Sequence, residues 1–283
     1  MTPEQRYLYD TMGYIHLENV LSPEELTRAQ EAVDRYINTP PEDMPVGFGE
    51  QKKNDNHRWF HRGFGFDRAL EHLTMHPTIW PIIKEMTGNK PCLCRGNLMV
   101  DTHEHASLQL HGGISGQTMA LGNKTDGKNT PRGFGDPGTL YSEFFDVFWY
   151  LTDVNPGDGG FILVIGSHKA EFELPYEQRT YESADELPDG VVNITPKAGD
   201  CIVSPESIFH GSLQWKPKDR DRRFVVTRYV PQHQQMYHTE EDWPENLPQE
   251  FLDRLAPETR ELIEIAWRSH EKEITKRDQI RLI

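Results

Sequence analysis

Cysteine is scarce in this chain: Cys92, Cys94 and Cys201 are the only three in 283 residues. An odd count, with two of the three alternating inside an apolar run, excludes a disulfide framework and reads as reduced strand residues, a Cys92–Cys94 zinc pair being the weaker alternative. Basic charge is also short, with 30 lysines and arginines against 45 aspartates and glutamates and a formal net charge of -15. Without a basic cluster or a lysine-rich arm, nucleic acid and anionic membrane are excluded as partners, which leaves a small molecule as the expected substrate. Long hydrophobic runs are missing, and the opening MTPEQRYLYDTMGY has neither the basic flank nor the apolar stretch of a signal peptide. A soluble, cytoplasmic protein is therefore expected. Internal repeats and long polar tracts are absent too, and apolar residues make up 36% of the chain. That supply is enough for a sizeable core, and the expectation is one globular domain over 1–283, of unspecified oligomeric state.

What is present has a clear order. SPEELTRAQEAVDRYIN (22–38) opens with a capping Ser22, Pro23 at the first helical position and Glu25 completing a capping box. Leu26, Ala29, Val33 and Ile37 then mark one apolar helical face. A second short helix is predicted through Ile79, Trp80, Ile82, Ile83 and Met86, stopping at Gly88. From Cys92 the texture changes to short apolar or alternating runs, PCLCRGNLMV, DVFWYLTDV, GFILVIGS, DCIVSP and RRFVVTRYV, separated by Gly, Pro, Asn and Asp. These read as a succession of strands. Helical periodicity returns from Pro248 to about Asp278, interrupted near Pro257. The fold class is thus mainly β with flanking helices: a helical part to about residue 90, a β core over about 91–232 and C-terminal helices over about 245–281. The Gly/Asn/Lys/Thr-rich stretch from Gly112 to Gly138 is long for a loop in a compact domain, which marks it as functional or mobile, and its Lys124, Lys128 and Arg132 would suit a lid over an anionic substrate as well as a solvated surface.

Within the β region, His111 and His210 each lie beside a strand-like run, so both would project into the mouth of a closed or folded-over sheet. Two imidazoles at such a mouth suit ferrous iron, whose usual facial triad adds a carboxylate two residues after the first histidine, because alternate strand residues share a face. Here that position is Gly113. Downstream of His210 come Gly211, Ser212, a polar turn and Asp221-Arg222-Arg223-Phe224-Val225-Val226. That places an arginine at the start of a strand, where it would clamp a co-substrate carboxylate bidentately.

Taken together, Leu110-His111, the run Trp149-Tyr150-Leu151-Thr152-Asp153-Val154-Asn155-Pro156-Gly157-Asp158-Gly159-Gly160, Gly166-Ser167-His168-Lys169, Gly199-Asp200 and His210-Gly211-Ser212 with Arg222 resemble the phytanoyl-CoA dioxygenase family of Fe(II)/2-oxoglutarate-dependent oxygenases. The resemblance implies a double-stranded β-helix, a jelly roll, in which His111 and His210 bind Fe(II) and Arg222, helped by Ser212, anchors 2-oxoglutarate. Arg223 takes that role if the register slips by one, and Asn97 and Trp149 stand where relatives line the co-substrate pocket. The departure at Gly113 resembles the non-haem iron halogenases, in which chloride or bromide fills the position vacated by the carboxylate and restores its charge. A halogenase acting on an aliphatic C–H bond is the leading expectation. The alternatives are a hydroxylase, with two histidines and water or with Glu143 as a relocated carboxylate on the face of Trp149 and Asp146 pointing the other way, and a non-catalytic binding protein.

Three further clusters receive plainer readings. Asp101-Thr102-His103-Glu104-His105 has the composition of a metal site but reads as a solvated loop, so no second metal is expected. His168 follows a turn and is assigned a hydrogen-bonding role in the scaffold. His57, Arg58, Trp59, Phe60 and His61 form a polar-aromatic patch that reads as surface packing or as a roof over the substrate pocket.

Overall fold

The computed structural model describes residues 1–54, 56–112, 142, 144–170, 172–232 and 246–264. Two helices come first, α1 (Pro3–Met12) and, after the short strand β1 (Ile15–Leu17), α2 (Pro23–Asn38). The predicted capping box is present on α2: Ser22 accepts from the Glu25 amide while the Glu25 carboxylate accepts from the Ser22 amide, at 2.8 Å. Strands β2 (Glu50–Asn54) and β3 (His57–Phe60) form a hairpin, followed by the helices α3 (Arg68–Glu71) and α4 (Trp80–Met86). The remaining strands are β4 (Pro91–Asp101), β5 (Leu108–His111), β6 (Phe145–Tyr150), β7 (Gly160–Val164), β8 (Val191–Asn193), β9 (Cys201–Pro205), β10 (His210–Leu213) and β11 (Arg222–Pro231). Helices α5 (Gln249–Arg254) and α6 (Pro257–Glu264) close the described chain, with the predicted interruption at Pro257.

The strands make two antiparallel sheets, one ordered β1-β9-β6-β11-β4-β3-β2 and the other β5-β10-β7-β8. Period-two alternation decides which side of the larger sheet each residue serves. Phe145, Val147 and Trp149 of β6, Cys201 and Val203 of β9 and Val225 and Tyr229 of β11 pack with the helices in the main core. Their neighbours Phe148, Tyr150, Ile202, Phe224 and Val226 turn the other way, into the space between the sheets, where they meet Phe161 and Leu163 of β7. The sheets therefore form a sandwich with one helix-covered outer face, and the three cysteines are buried in it, none in a disulfide. Beyond the expected elements, β1, β2 and β3 extend the large sheet from a segment in which the sequence predicts helices alone. The Gly112–Gly138 loop lies outside the described residues from 113 onward.

His168 is buried at 1% exposure, packed near Tyr9 with ring centroids 6.3 Å apart, and neither ring nitrogen has a side-chain partner. The Ser167 hydroxyl beside it carries a scaffold hydrogen bond, accepting from the Phe209 amide at 2.8 Å. Burial, with Lys169 beside it, pushes the His168 imidazole down to about 4. In the unfolded chain it titrates near 6.5, so the folded state resists a proton that the unfolded state accepts, and stability falls as pH drops from about 6.5 towards about 4. In urea titrations the protein is expected to lose about 3 kcal/mol more over this window than His168→Gln does. Parallel stability–pH curves for the two would contradict it.

Candidate active site

The two candidate iron ligands are brought together by strand pairing. His111 ends β5, His210 begins β10, and the antiparallel register sets them directly opposite with ring centroids 4.2 Å apart. Each ring is fixed by a carbonyl two residues earlier in its own strand or turn: His111 Nδ1 donates to Gln109 O at 2.9 Å and His210 Nδ1 to Ile208 O at 2.8 Å. A carbonyl only accepts, so both rings carry their proton on Nδ1 and leave Nε2 as a bare lone pair, which is the state a metal requires. Burial, reinforced by the neighbouring His111, holds His210 down at about 4 and so neutral near pH 7. The glycine after His111 has a backbone reason. Gly112 has φ 106°, and a Cβ there would lie 2.4 Å from Ile208 O, so no side chain fits where β5 passes the turn before β10. Gly113 and Glu143 lie outside the described residues.

A carboxylate does stand beside the histidines, and it is one the sequence reading overlooked. Glu206, four residues before His210, places Oε2 3.7 Å from His210 Nε2. Its other oxygen faces Arg228 Nε at 3.4 Å, and Arg228 Nε also lies 3.0 Å from Asp146 Oδ1. Burial acts upward on Glu206, but His210 and Arg228 outweigh it and hold the acid at about 2. Asp146 is driven the other way, well above the carboxylate range, by burial and by the proximity of Glu206. The trio is thus one carboxylate, one neutral acid and one guanidinium, balanced in charge. Asp146 does point opposite to Trp149, as expected, but the cavity is on the Asp146 side.

That cavity occupies about 570 Å³ between the sheets, lined by His111, His210 and Arg228 at one end and by Arg222, Ser212 and Asp101 at the other, with Phe148, Tyr150, Phe161 and Phe224 between. Arg222 and Arg228 both point inward because they are an even number of residues apart on β11. Arg223, the fallback anchor, points out to Asp34 and Asp221. The Arg222 guanidinium grips the fully buried Asp101 through Nε at 2.9 Å and Nη2 at 2.5 Å. Gly160, at φ 82°, makes room for it, since a Cβ there would come within 2.5 Å of Nη1.

Two of the predicted co-substrate residues stand elsewhere. Asn97 on β4 uses its Oδ1 to accept from the Arg62 amide at 3.2 Å and does not line the cavity. Trp149 is fully buried on the helix side of β6, 5.5 Å ring to ring from His76. Within the 101–105 stretch Asp101 and His105 are cavity wall, while Glu104 between them is exposed to solvent. Asp101 Oδ1 accepts from His57 Nδ1 and faces His105 Nε2 at 3.5 Å, while the two imidazoles stack at 4.5 Å. His57, Asp101 and His105 have a compact metal-binding arrangement, but a guanidinium already occupies the carboxylate and a dication there would face it. Of the His57–His61 patch, His57 and Trp59 line the cavity, in keeping with the roof reading.

Comparison with known proteins agrees with this architecture. The family described as Phytanoyl-CoA dioxygenase (PhyH) matches residues 9–224. No curated protein sequence matches the chain. Among solved structures, HygX from Streptomyces hygroscopicus with nickel, 2-oxoglutarate and hygromycin B bound is similar at a TM-score of 0.65 and 21% identity, over 85% of this chain and 90% of that one. The non-heme alpha ketoglutarate dependent carbocyclase SnoK from nogalamycin biosynthesis is similar at 0.59 and 19%, over 91% and 92%. The corresponding epimerase SnoN is similar at 0.54 and 18%, over 81% and 83%. At such identities the likeness establishes the fold.

Proposed function

Since the chain belongs to the phytanoyl-CoA dioxygenase (PhyH) family, we propose that it is an Fe(II)- and 2-oxoglutarate-dependent oxygenase that oxidises an aliphatic C–H bond of a small molecule. The observation that carries this reading is the cavity with two Nδ1-locked histidines at one end and Arg222 with Ser212 at the other. The donor set fits the group: two imidazole Nε2 atoms suit ferrous iron, and a buried guanidinium suits a carboxylate. His111 and His210 would hold the metal, and Arg222 keeps Nη1 free of Asp101 for the far carboxylate of the co-substrate. Iron with 2-oxoglutarate and dioxygen supplies an oxidant strong enough to take hydrogen from an unactivated carbon. Around that chemistry the aromatic wall of Phe148, Phe161 and Phe224 excludes water and leaves an apolar surface for the substrate. HygX was crystallised with hygromycin B, and a substrate of the small-molecule class is proposed here on that likeness and on the volume of the cavity.

Glu206 bears on the choice between oxygenation and halogenation. The expectation of a halide rests on the carboxylate that Gly113 fails to supply, yet the carboxylate of Glu206 stands 3.7 Å from His210 Nε2, near enough to offer a metal there an oxygen from another part of the chain. With Glu206 in that role a halide would have no missing ligand to replace. Oxygenation is therefore the favoured outcome, with Glu206 in the place of the missing third ligand. The test is anaerobic titration with Fe(II) and 2-oxoglutarate, followed through the metal-to-ligand charge-transfer band with and without chloride. A band that ignores chloride is expected, with chloride sensitivity emerging in Glu206→Gln. A chloride-sensitive band in the unaltered protein would restore the halogenase reading, and no band at all would leave a binding protein.

A further inference from the structure

Arg222 and Asp101 cancel each other's charge, so the far end of the cavity offers an incoming carboxylate a donor but no spare positive charge. We infer that His57 is a second receptor for the distal carboxylate of 2-oxoglutarate, and that the co-substrate binds together with one proton, taken from solvent onto His57 Nε2. This rests on the 2-oxoglutarate reading above and adds a residue and a proton to it.

The tautomer follows from the neighbours. Asp101 has 0% exposure. Burial acts upward on it, but Arg222 and the His57 hydrogen bond hold it at about 2, so it is ionised and only accepts. His57 Nδ1 is therefore the donor, and Nε2 is left bare. Among the described residues Nε2 has no hydrogen-bond partner, and the His57 side chain lines the cavity beside Arg222. A carboxylate reaching Arg222 Nη1 would place two anions around one guanidinium in an apolar pocket, an arrangement stable only if another cation forms. Histidine is the side chain that gains charge near neutral pH, and protonation turns Nε2 from an acceptor into a donor facing that carboxylate.

The groups packed around His57 decide whether that proton can be held. From β4, Asp101 favours it; from β11, Arg222 opposes it, and the incoming carboxylate offsets Arg222. His105, stacked on His57 with ring planes 13° apart, opposes it only if charged. Burial holds His105 at about 4 against the pull of Asp101, so it remains neutral. Strand β2 sets Asn54 in register with His57.

The experiment is calorimetric titration of 2-oxoglutarate into anaerobic, Fe(II)-loaded protein in buffers of different ionisation enthalpy, repeated from pH 6.5 to 8.5. Proton uptake approaching about one per 2-oxoglutarate is expected, with affinity weakening by up to about tenfold per pH unit on the alkaline side. His57→Gln should bind 2-oxoglutarate without proton uptake and with a flat pH profile, while His105→Gln keeps the uptake; circular dichroism and Fe(II) binding confirm that both variants are folded and loaded. Binding without proton exchange, or uptake that survives in His57→Gln, overturns the inference and leaves the 2-oxoglutarate reading standing. Failure of the unaltered protein to bind 2-oxoglutarate overturns both.

Discussion

Alanine at position 210 is expected to abolish the Fe(II)–2-oxoglutarate charge-transfer band and all turnover, with metal affinity down by more than about 100-fold. The magnitude follows from what the residue touches. Losing a group that merely orients a metal-binding histidine costs about 10–100-fold in affinity, so loss of the donor atom itself must exceed that range. His111→Ala should match it, because the two rings face each other across one strand pair as the imidazole donors of one site. The fold should survive, since the His210 ring makes one hydrogen bond, to a carbonyl in the adjoining turn. Equilibrium dialysis with Fe(II), alongside circular dichroism, checks both halves. A His210→Ala protein that keeps its metal would place the iron elsewhere.

The second large effect concerns stability. Asp101→Ala removes the partner of a guanidinium with 4% exposure, and an uncompensated buried charge costs roughly 3–5 kcal/mol. Asp101→Leu combined with Arg222→Met takes out both charges and should recover most of that loss while abolishing 2-oxoglutarate binding. Urea unfolding of the three variants separates the cases, and a single variant as stable as the double one would show that Arg222 finds another partner. The pH dependence has a definite sign. Asp101 sits near 2 when folded, against 3.8 for the free side chain, so its contribution is fully present above about pH 4. It is lost as pH falls towards 2, about 2 kcal/mol in all.

The elements that sequence periodicity reveals are those with one dominant environment. Helix α2 has a single buried stripe and a complete capping box, and β4, β6, β9 and β11 are covered on both faces, so they read as near-continuous apolar runs. Strands β1 and β2 escape the same reasoning: Ile15–Leu17 is three residues long, and Glu50–Asn54 reads as polar because its place at the sheet edge requires little apolar surface. At the site, the histidines and Arg222 are legible through local motifs, whereas Glu206 and Asp101 are not. Asp101 gains its significance from a pairing between segments 121 residues apart, and Glu206, though close in sequence to His210, from its approach to Arg228. A signal was nonetheless available in β11. Charged Arg222 and Arg228, in step with Phe224 and Val226 at period two on a buried strand, demand buried acids across from them. Asn97 and Trp149 mislead for the converse reason, since a motif position does not say which face of a strand meets the cavity or which hydrogen bonds are already taken.

Strand β5 has a consequence for how metal and fold depend on each other. It is four residues long, lies at the edge of its sheet, and pairs with β10 on one side, while on the other Leu110 donates to Arg179 O. A ligand carried on so short an edge is only as fixed as the edge itself, so part of the free energy of iron binding goes into holding β5 in register. Metal bridging His111 to His210 would act as a cross-strand clasp. Amide exchange across Leu108–His111 should slow on loading while the interior strands stay unchanged, making the local order of one sheet edge a direct gauge of occupancy.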